Sequence, residues 1–343
     1  EELKAHGHTF KTGTDTEVLL ASYQKWGEDC LHRFNGMWAF VIYDRKEKRI
    51  FASRDRYGIK PFYYYVTDEL LAFASEIPPL LSLLPGKPTP DNQCIFDYLV
   101  FNRTDQTERT FFNEIKKLQH GHCITFQTNH PIVTPSGDEG QSSNLPIARW
   151  YNLKERVKNS SGFESPEEFR SLFSSAVGLR LRSDVPVGVC LSGGLDSSAI
   201  VSSILTDHGK KDLQTFSVVF GEHIKTDERK YMQLYNDKVF KQHYNEINAQ
   251  TFVDEIQTFV TAIGEPVSSG GPFAQFNVMK IAKGNAVVLL DGQGADEILG
   301  GYKYFWGYYY NELLRKFRFA KLLKEMKMGG SNLYKLSTSL YYA

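Results

Sequence analysis

The chain has 343 residues, 41% hydrophobic and 23% charged, enough for two ordinary folded domains or one large one. Forty Lys and Arg balance forty Asp and Glu, so no net field draws the chain to nucleic acid or an anionic membrane. No apolar run is long enough to span a bilayer, and no charged-then-apolar leader opens the chain. The cysteines, Cys30, Cys94, Cys123 and Cys190, are widely spaced with no CxxC pair. That argues against a zinc clip or disulfide framework, fits a reducing cytoplasm, and predicts four buried small hydrophobes.

Residues 12–29 start a helix. Thr14 and Glu17 have capping-box spacing, and Val18, Leu19, Tyr23 and Trp26 share one face. Strand-like runs follow at 37–44, 49–55, 61–66 and 70–75, then a helix at 91–101 and a strand at 122–127. Short spacing predicts a mostly antiparallel sheet in this half. Residues 128–148, rich in Pro, Gly, Ser and Asn, read as a linker or exposed loop.

The second half alternates helix and strand. Ser165, Pro166 and Glu168 mark a helix start whose face is Phe169, Leu172, Phe173, Ala176 and Val177. A strand at 185–191, a helix from Ser197 to His208 and a strand at 214–220 come next. Helices are expected at 227–240, at 251–263 with Phe252, Ile256, Phe259 and Ile263 on one face, and at 272–282, before a strand at 286–291. Apolar strands alternating with helices predict a parallel sheet covered on both faces.

Two loops interrupt this pattern where a doubly wound sheet binds its ligands, beyond strand carboxyl ends. The first, Ser192–Ser198 (SGGLDSS), has two glycines that permit close approach, three hydroxyls and the start of a helix, the makings of an anion cradle. There is no GxxxxGK[ST], and Asp196 repels phosphate unless it holds a Mg²⁺ that bridges to it. A capped turn would explain a bare SGG equally well, but SGGLDSS behind a buried strand much less so. The second loop, 289–302 (LLDGQGADEILGGY), carries Asp291, Asp296 and Glu297. Parallel strand ends would let Asp196 and Asp296 share the metal on a pyrophosphate; an acid-capped helix start at Ala295 is the plainer account.

Together these stretches resemble the PP-loop ATP pyrophosphatases, and within them the asparagine synthetases that hydrolyse glutamine. The segment from Phe10 to Tyr64 is similar to the later part of a class II, N-terminal-nucleophile glutaminase domain. The resemblance implies an α/β chain. A partial αββα glutaminase sandwich (1–157) precedes a doubly wound parallel-sheet, Rossmann-like PP-loop domain (158–343). It implies ATP- and Mg²⁺-dependent amidation of the aspartate side chain through a β-aspartyl-adenylate, with ammonia from glutamine. The partners are then small molecules (aspartate, glutamine or ammonia, ATP), with no nucleic acid or membrane, and a homodimer is compatible.

Carried over residue by residue, Ser192, Gly193, Gly194, Leu195, Asp196, Ser197 and Ser198 would hold the pyrophosphate of ATP. Leu191, Val218 and Gly292 would hold adenosine, with Asp291 beside them in the ATP site. Asp196 and Asp296 would hold Mg²⁺, and Asp15 the amino group of glutamine, although an anion at a helix start is also favoured by capping alone. Arg54 and Asp55 would form a domain-packing pair. Gln293 stands where many relatives place a proton-handling Glu, and an amide cannot act as a base. Gly270 and Gly271 replace Ser or Thr near the substrate. The family's N-terminal Cys nucleophile is absent, because the chain starts at Glu1. The expectation is a fragment lacking both termini, the family's C-terminal portion with an active-site lysine included, that does not hydrolyse glutamine and does not by itself complete the reaction. Three other readings share parts of this pattern: an amidotransferase acting on a sugar or peptide carboxylate, a PP-loop tRNA-modifying protein, and a non-catalytic remnant.

Overall fold

The computed structural model describes residues 1–129, 145–221 and 227–328. Residues 1–162 and 256–270 make one unit; residues 163–255 and those from 271 onward make a second.

The first unit is built on strands β1 (Ala39–Asp44), β2 (Arg49–Arg54), β3 (Tyr63–Val66), β4 (Leu71–Ala74), β5 (Ile115–Lys117), β6 (His122–Gln127) and β7 (Ile147–Arg149). Antiparallel pairing arranges them as two sheets, β1-β2-β6-β7 and β4-β3-β5. Successive strand side chains point to opposite faces. Phe40, Ile42, Phe51 and Cys123 therefore pack on Tyr23, Cys30 and Leu31, which belong to the helix Asp15–Trp26 and the 3₁₀ turn after it. Their neighbours Val41, Ala52 and Ile124 face the other way, onto Tyr64 of the second sheet. Tyr65 and Ile115 in turn cover Ile77 and Leu80 of the short helix Ile77–Leu81. The layers run helix, sheet, sheet, helix, the expected partial αββα sandwich.

Arg54 and Asp55 do not pair across domains; both work inside this unit. The Arg54 guanidinium donates to the carbonyls of Gly58, Lys60 and Leu118 at 2.7–2.8 Å. The Asp55 carboxylate, 1% exposed, accepts from the N–H groups of Trp38, Tyr57, Ile59 and Lys60 at 3.0–3.3 Å. They hold the turn between β2 and β3 by its backbone N–H and C=O groups. Residues 256–270, expected in the second domain, are tied into this unit by three hydrogen bonds. Tyr98 Oη donates to Val267 O (2.9 Å), Asn102 Nδ2 to Ser268 O (2.8 Å) and Phe111 N to Glu265 Oε1 (2.9 Å).

In the second unit β8 (Val187–Cys190), β9 (Gln214–Val219), β10 (Lys241–Glu246) and β11 (Val288–Leu290) form one all-parallel sheet, ordered β10-β9-β8-β11. Both faces are covered. Val187, Val189, Val219 and Leu290 pack with Val177, Val201 and Ile204 from the helices Pro166–Arg180 and Leu195–Thr206. Cys190 and Phe216 pack with Val278 and Ala282 of the helix Gly271–Ala282 on the other side. This is the doubly wound, Rossmann-like arrangement expected.

Several local expectations are corrected. Residues 227–240 are not one helix: a helical turn, Arg229–Met232, and a 3₁₀ turn, Gln233–Tyr235, lead into β10. Sequence pattern misses β10 because KQHYNE is a polar edge strand with no apolar alternation to betray it. The helix expected from Ser197 begins at Leu195, so half of the SGGLDSS stretch is already helical. Val18, Leu172, Phe252, Ile256 and Ile263, expected on buried faces, are exposed, and Cys94 is only half-buried. Of the expected linker 128–148, residues 130–144 lie outside the described residues, and 147–149 is β7.

One buried ion pair offers a test of the first unit. Asp91 caps the helix Asn92–Phe101 through Cys94 N (3.0 Å) and receives both Nε and Nη2 of Arg109, at 2.7 and 2.8 Å. Burial pushes this carboxyl up, but the Arg109 hydrogen bonds and the Cys94 N–H outweigh it and hold it below the usual carboxylate value. Its contribution to stability is therefore full above about pH 4 and is lost as pH falls through the lower folded value. Asp91→Asn should cost about 2–3 kcal/mol near pH 7, less than a fully buried pair because Arg109 keeps partial exposure. The loss should shrink on acidification, read by urea unfolding at pH 7 and pH 3; an equal loss at both would refute the assignment.

Candidate functional site

The order β10-β9-β8-β11 means that the chain leaves β8 toward β9 on one side and returns to β11 on the other. Loops diverge at such a switch point and leave a crevice beyond the strand carboxyl ends. A cavity of about 350 Å³ lies there. Its lining comes from the ends of β8, β9 and β11 and from the helix Gly271–Ala282.

The β8 end is folded by its own hydroxyls. Ser192 N donates to Ser197 Oγ (3.2 Å), the two serine hydroxyls lie 3.0 Å apart, and Gly194 N donates to Ser192 Oγ (3.2 Å). Gly193 has φ +86°, and an added Cβ would lie 2.8 Å from the Glu228 carbonyl, so both conformation and space require glycine. The helix then starts with no side-chain cap. Ser198 N is the first to return to the loop, at Gly194 O (3.1 Å), while the N–H groups of Leu195, Asp196 and Ser197 have no backbone acceptor among the described residues. Three unspent donors at a helix start make an anion-accepting surface.

The β11 end is organised by Asp291. Its Oδ1 accepts from Gln293 N (3.1 Å) and its Oδ2 from Gln275 Nε2 (2.9 Å). Gly292 passes so close to the first loop that an added Cβ would lie 3.1 Å from Ser197 N and 3.2 Å from the Asp196 Cβ. Asp296, on the first turn of the helix Ala295–Leu299, lies against Gly301, where a Cβ would collide with its carboxylate.

Leu191, Ser192, Gly194, Asp196, Ser197, Val218, Asp291, Gly292, Gln293 and Asp296 thus line one cavity. Leu195 is 84% exposed, and neither it, Gly193 nor Ser198 is in the lining. Asp15 belongs to the first unit, exposed at the start of its helix. Thr12, Gly13 and Thr14 line a separate cavity of about 370 Å³ there, with Asp15 outside the lining. The capping acid is Glu17, which accepts from the N–H groups of Lys11 and Thr12 at 2.8 and 2.7 Å.

Sequence reasoning missed Gln275, Cys190, Asp227 and Glu228, all in the lining. The acids after β9 carry the same strand-end signal as the other loops and could have been found by it. Asp227 accepts from Arg229 N (2.8 Å) and Phe220 N (3.2 Å). Burial pushes its carboxyl up, but these N–H groups and the Arg229 guanidinium bring it below the usual value. Burial, with Asp291 adding to it, pushes the Cys190 thiol up to about 12, so it is a neutral wall and not a nucleophile.

The cavity holds five carboxylates (Asp196, Asp227, Glu228, Asp291, Asp296) and, among the described residues, no Lys or Arg. Such a site accepts a polyanion only together with a cation. Asp196 and Asp296 suit Mg²⁺, a hard ion that takes one or two carboxylates and completes its shell with phosphate oxygens and water. Among the described residues no group of three or more His, Cys, Asp or Glu side chains is placed to hold a metal ion by itself.

By its architecture, the second unit is an open parallel α/β domain with an anion-accepting loop at its switch point, and it shares the chain with an antiparallel αββα unit. Asparagine synthase sequences match residues 168–340, and the glutamine amidotransferase domain matches residues 1–135. A putative glutamine-hydrolysing asparagine synthetase 2 of Methanocaldococcus jannaschii is 33% identical over 326 residues, which is 94% of this chain and 59% of that protein. Asparagine synthetase 3 of Bacillus subtilis is 33% identical over 319 residues, 89% of this chain and 50% of its own length. Asparagine synthetase 2 of Arabidopsis thaliana is 29% identical over 318 residues, 89% of this chain and 47% of its own length. The chain belongs to the asparagine synthase family and spans about half the length of these relatives.

Gly292→Ala should leave the fold intact, because its neighbours need give by only a few tenths of an ångström, but should press on the Ser197 N–H and Asp196 at the start of the helix Leu195–Thr206. Affinity for a phosphate-bearing nucleotide in the presence of Mg²⁺ should fall by roughly tenfold or more, since the displaced neighbours include backbone that yields poorly. Isothermal titration of both proteins, with far-UV circular dichroism as the folding control, would decide it; unchanged affinity would detach the loop contact from binding.

Proposed function

We propose that the second unit is the synthetase half of a glutamine-dependent asparagine synthetase. It binds ATP with Mg²⁺ and activates the aspartate side-chain carboxylate as a β-aspartyl-adenylate, releasing pyrophosphate, after which ammonia displaces AMP to give asparagine. The observation that carries this reading is the meeting, in one strand-end cavity, of the uncapped helix start at Asp196 and Ser197, whose N–H groups have no backbone acceptor among the described residues, with two helix-start carboxylates, Asp196 and Asp296. A phosphate chain suits the first and a bridging cation the second.

The chain's own groups divide the work. The helix-start N–H groups and the Ser192 and Ser197 hydroxyls bind and orient the pyrophosphate. Leu191, Val218 and Gly292 form the surface against which adenosine rests. Asp196 and Asp296 would hold Mg²⁺, which when bound supplies positive charge to the departing pyrophosphate. Orientation and charge neutralisation lower the barrier to attack at the α-phosphorus. Gln293 holds by hydrogen bonds and moves no proton, so the attacking ammonia would lose its proton to another acceptor. The first unit, residues 1–162 and 256–270, is the glutaminase-type partner, with Asp15 proposed to meet the amino group of glutamine.

The test gives the full-length protein ATP, Mg²⁺, aspartate and either ammonia or glutamine, and follows pyrophosphate and asparagine. Pyrophosphate and asparagine should appear together with ammonia. Asp196→Asn should lower both by roughly 100-fold or more, as removal of a main electrostatic element does. Pyrophosphate without asparagine would overturn aspartate as the acceptor; neither product from folded protein would overturn the synthetase reading.

A further inference from the structure

The two loops of the cavity come from different strands, and one side chain from a third element touches the base of both. Gln275 sits in the first half of the helix Gly271–Ala282. Its Nε2 lies 2.9 Å from Asp291 Oδ2 and 3.6 Å from the Sγ of Cys190, the last residue of β8. The amide orientation follows from chemistry, because only the nitrogen can donate to a carboxylate. Asp291 spends its other oxygen on Gln293 N at 3.1 Å. The two carboxylate oxygens thus play separate parts, one held by the helix and the other holding the loop. Next to it in the chain, Gly292 is in close contact with Ser197 N and the Asp196 Cβ.

We propose that Gln275 is a positioning residue: its amide fixes the rotation of the Asp291 carboxylate and so sets the Gly292–Gln293 backbone against Asp196 and the anion-accepting N–H groups. This rests on the nucleotide reading of the cavity for its consequence, but not for its geometry. No other residue type of this length does the same. Glu would bring an acceptor against an acceptor, and Leu fills the space without donating.

The discriminating experiment is a polarity exchange on this chain. Gln275→Glu removes the donor. Adding Asp291→Asn restores a pair of reversed sense: the amide introduced at position 291 donates its N–H to the carboxylate introduced at position 275, while its carbonyl oxygen still accepts from Gln293 N. Two readouts are taken for each protein: hydrogen exchange of the Gln293 amide without ligand, and the dissociation constant for ATP with Mg²⁺. The single variant should exchange this amide roughly tenfold faster, since its acceptor is no longer held. It should also bind ATP roughly tenfold more weakly, and the double variant should recover most of the slow Gln293 exchange, a coupling that mere space-filling cannot produce. Should Gln275→Glu fail to fold, Gln275→Asn, which withdraws the amide by one methylene without adding charge, gives the same exchange comparison. Equal Gln293 exchange in the wild-type and single-variant proteins, or no recovery in the double variant, overturns the positioning role whatever ATP does. The expected exchange pattern in a protein that binds no ATP upholds it and overturns the nucleotide reading instead.

Discussion

The parallel pairing of β11 with β8, Val288 opposite Val187 and Leu290 opposite Val189, is the constraint on which the candidate site depends. It brings two strands far apart in the chain to a common end, so that SGG and DGQG leave the sheet side by side. Because β9 lies on the opposite side of β8, three loops open around one crevice. Close packing finishes the arrangement: glycines at 193 and 292 let backbone meet backbone where a Cβ would not fit. Nothing in this cavity is built by a single element. Its donors come from a helix start, its carboxylates from three strand ends, and the brace on Asp291 from a helix on one face of the sheet.

The charge of the cavity follows from the same geometry. Strand ends that each finish in an acidic loop concentrate carboxylates, and no Lys or Arg among the described lining offsets them. A phosphate-bearing ligand entering alone would meet repulsion from every side except the helix start. Under the proposed function, a cation taken up with the ligand would offset that repulsion. This is the opposite of a Walker-type cradle, where a lysine of the protein meets the phosphates.

The first unit shows how charge can serve structure alone. Asp55 and Arg54 are consecutive and of opposite sign, yet each is spent on backbone: the carboxylate on four N–H groups, the guanidinium on three carbonyls. A turn between two sheets has main-chain groups outside both ladders, and fixed charges are the strongest partners available to them. The pair Asp91–Arg109 plays the same part at a helix start. The sequence suggested Arg54 and Asp55 as a domain-packing pair; charged side chains are rarely buried without cause, and here the cause is the fold within one unit.

Most of the fold was legible from the chain itself, because it rests on periodicity. Strand-like runs at 37–44 and 49–55 announced the first unit's strands, and the apolar runs around Val189 and Leu289 announced strands buried on both sides. The loop chemistry was legible too, since glycines, hydroxyls and acids at strand ends have few other uses. What the sequence could not show was anything that depends on a partner remote in the chain. β10 is a strand only because β9 offers it an edge, and its own polar residues carry no period. Residues 256–270 join the first unit through hydrogen bonds to Tyr98, Asn102 and Phe111 that no local pattern encodes. Gln275 is ordinary within its helix and gains its role solely from Asp291, sixteen residues on and in another element. Local order is written in the spacing of neighbours; the site was decided by which distant backbones the parallel sheet brought within hydrogen-bond reach.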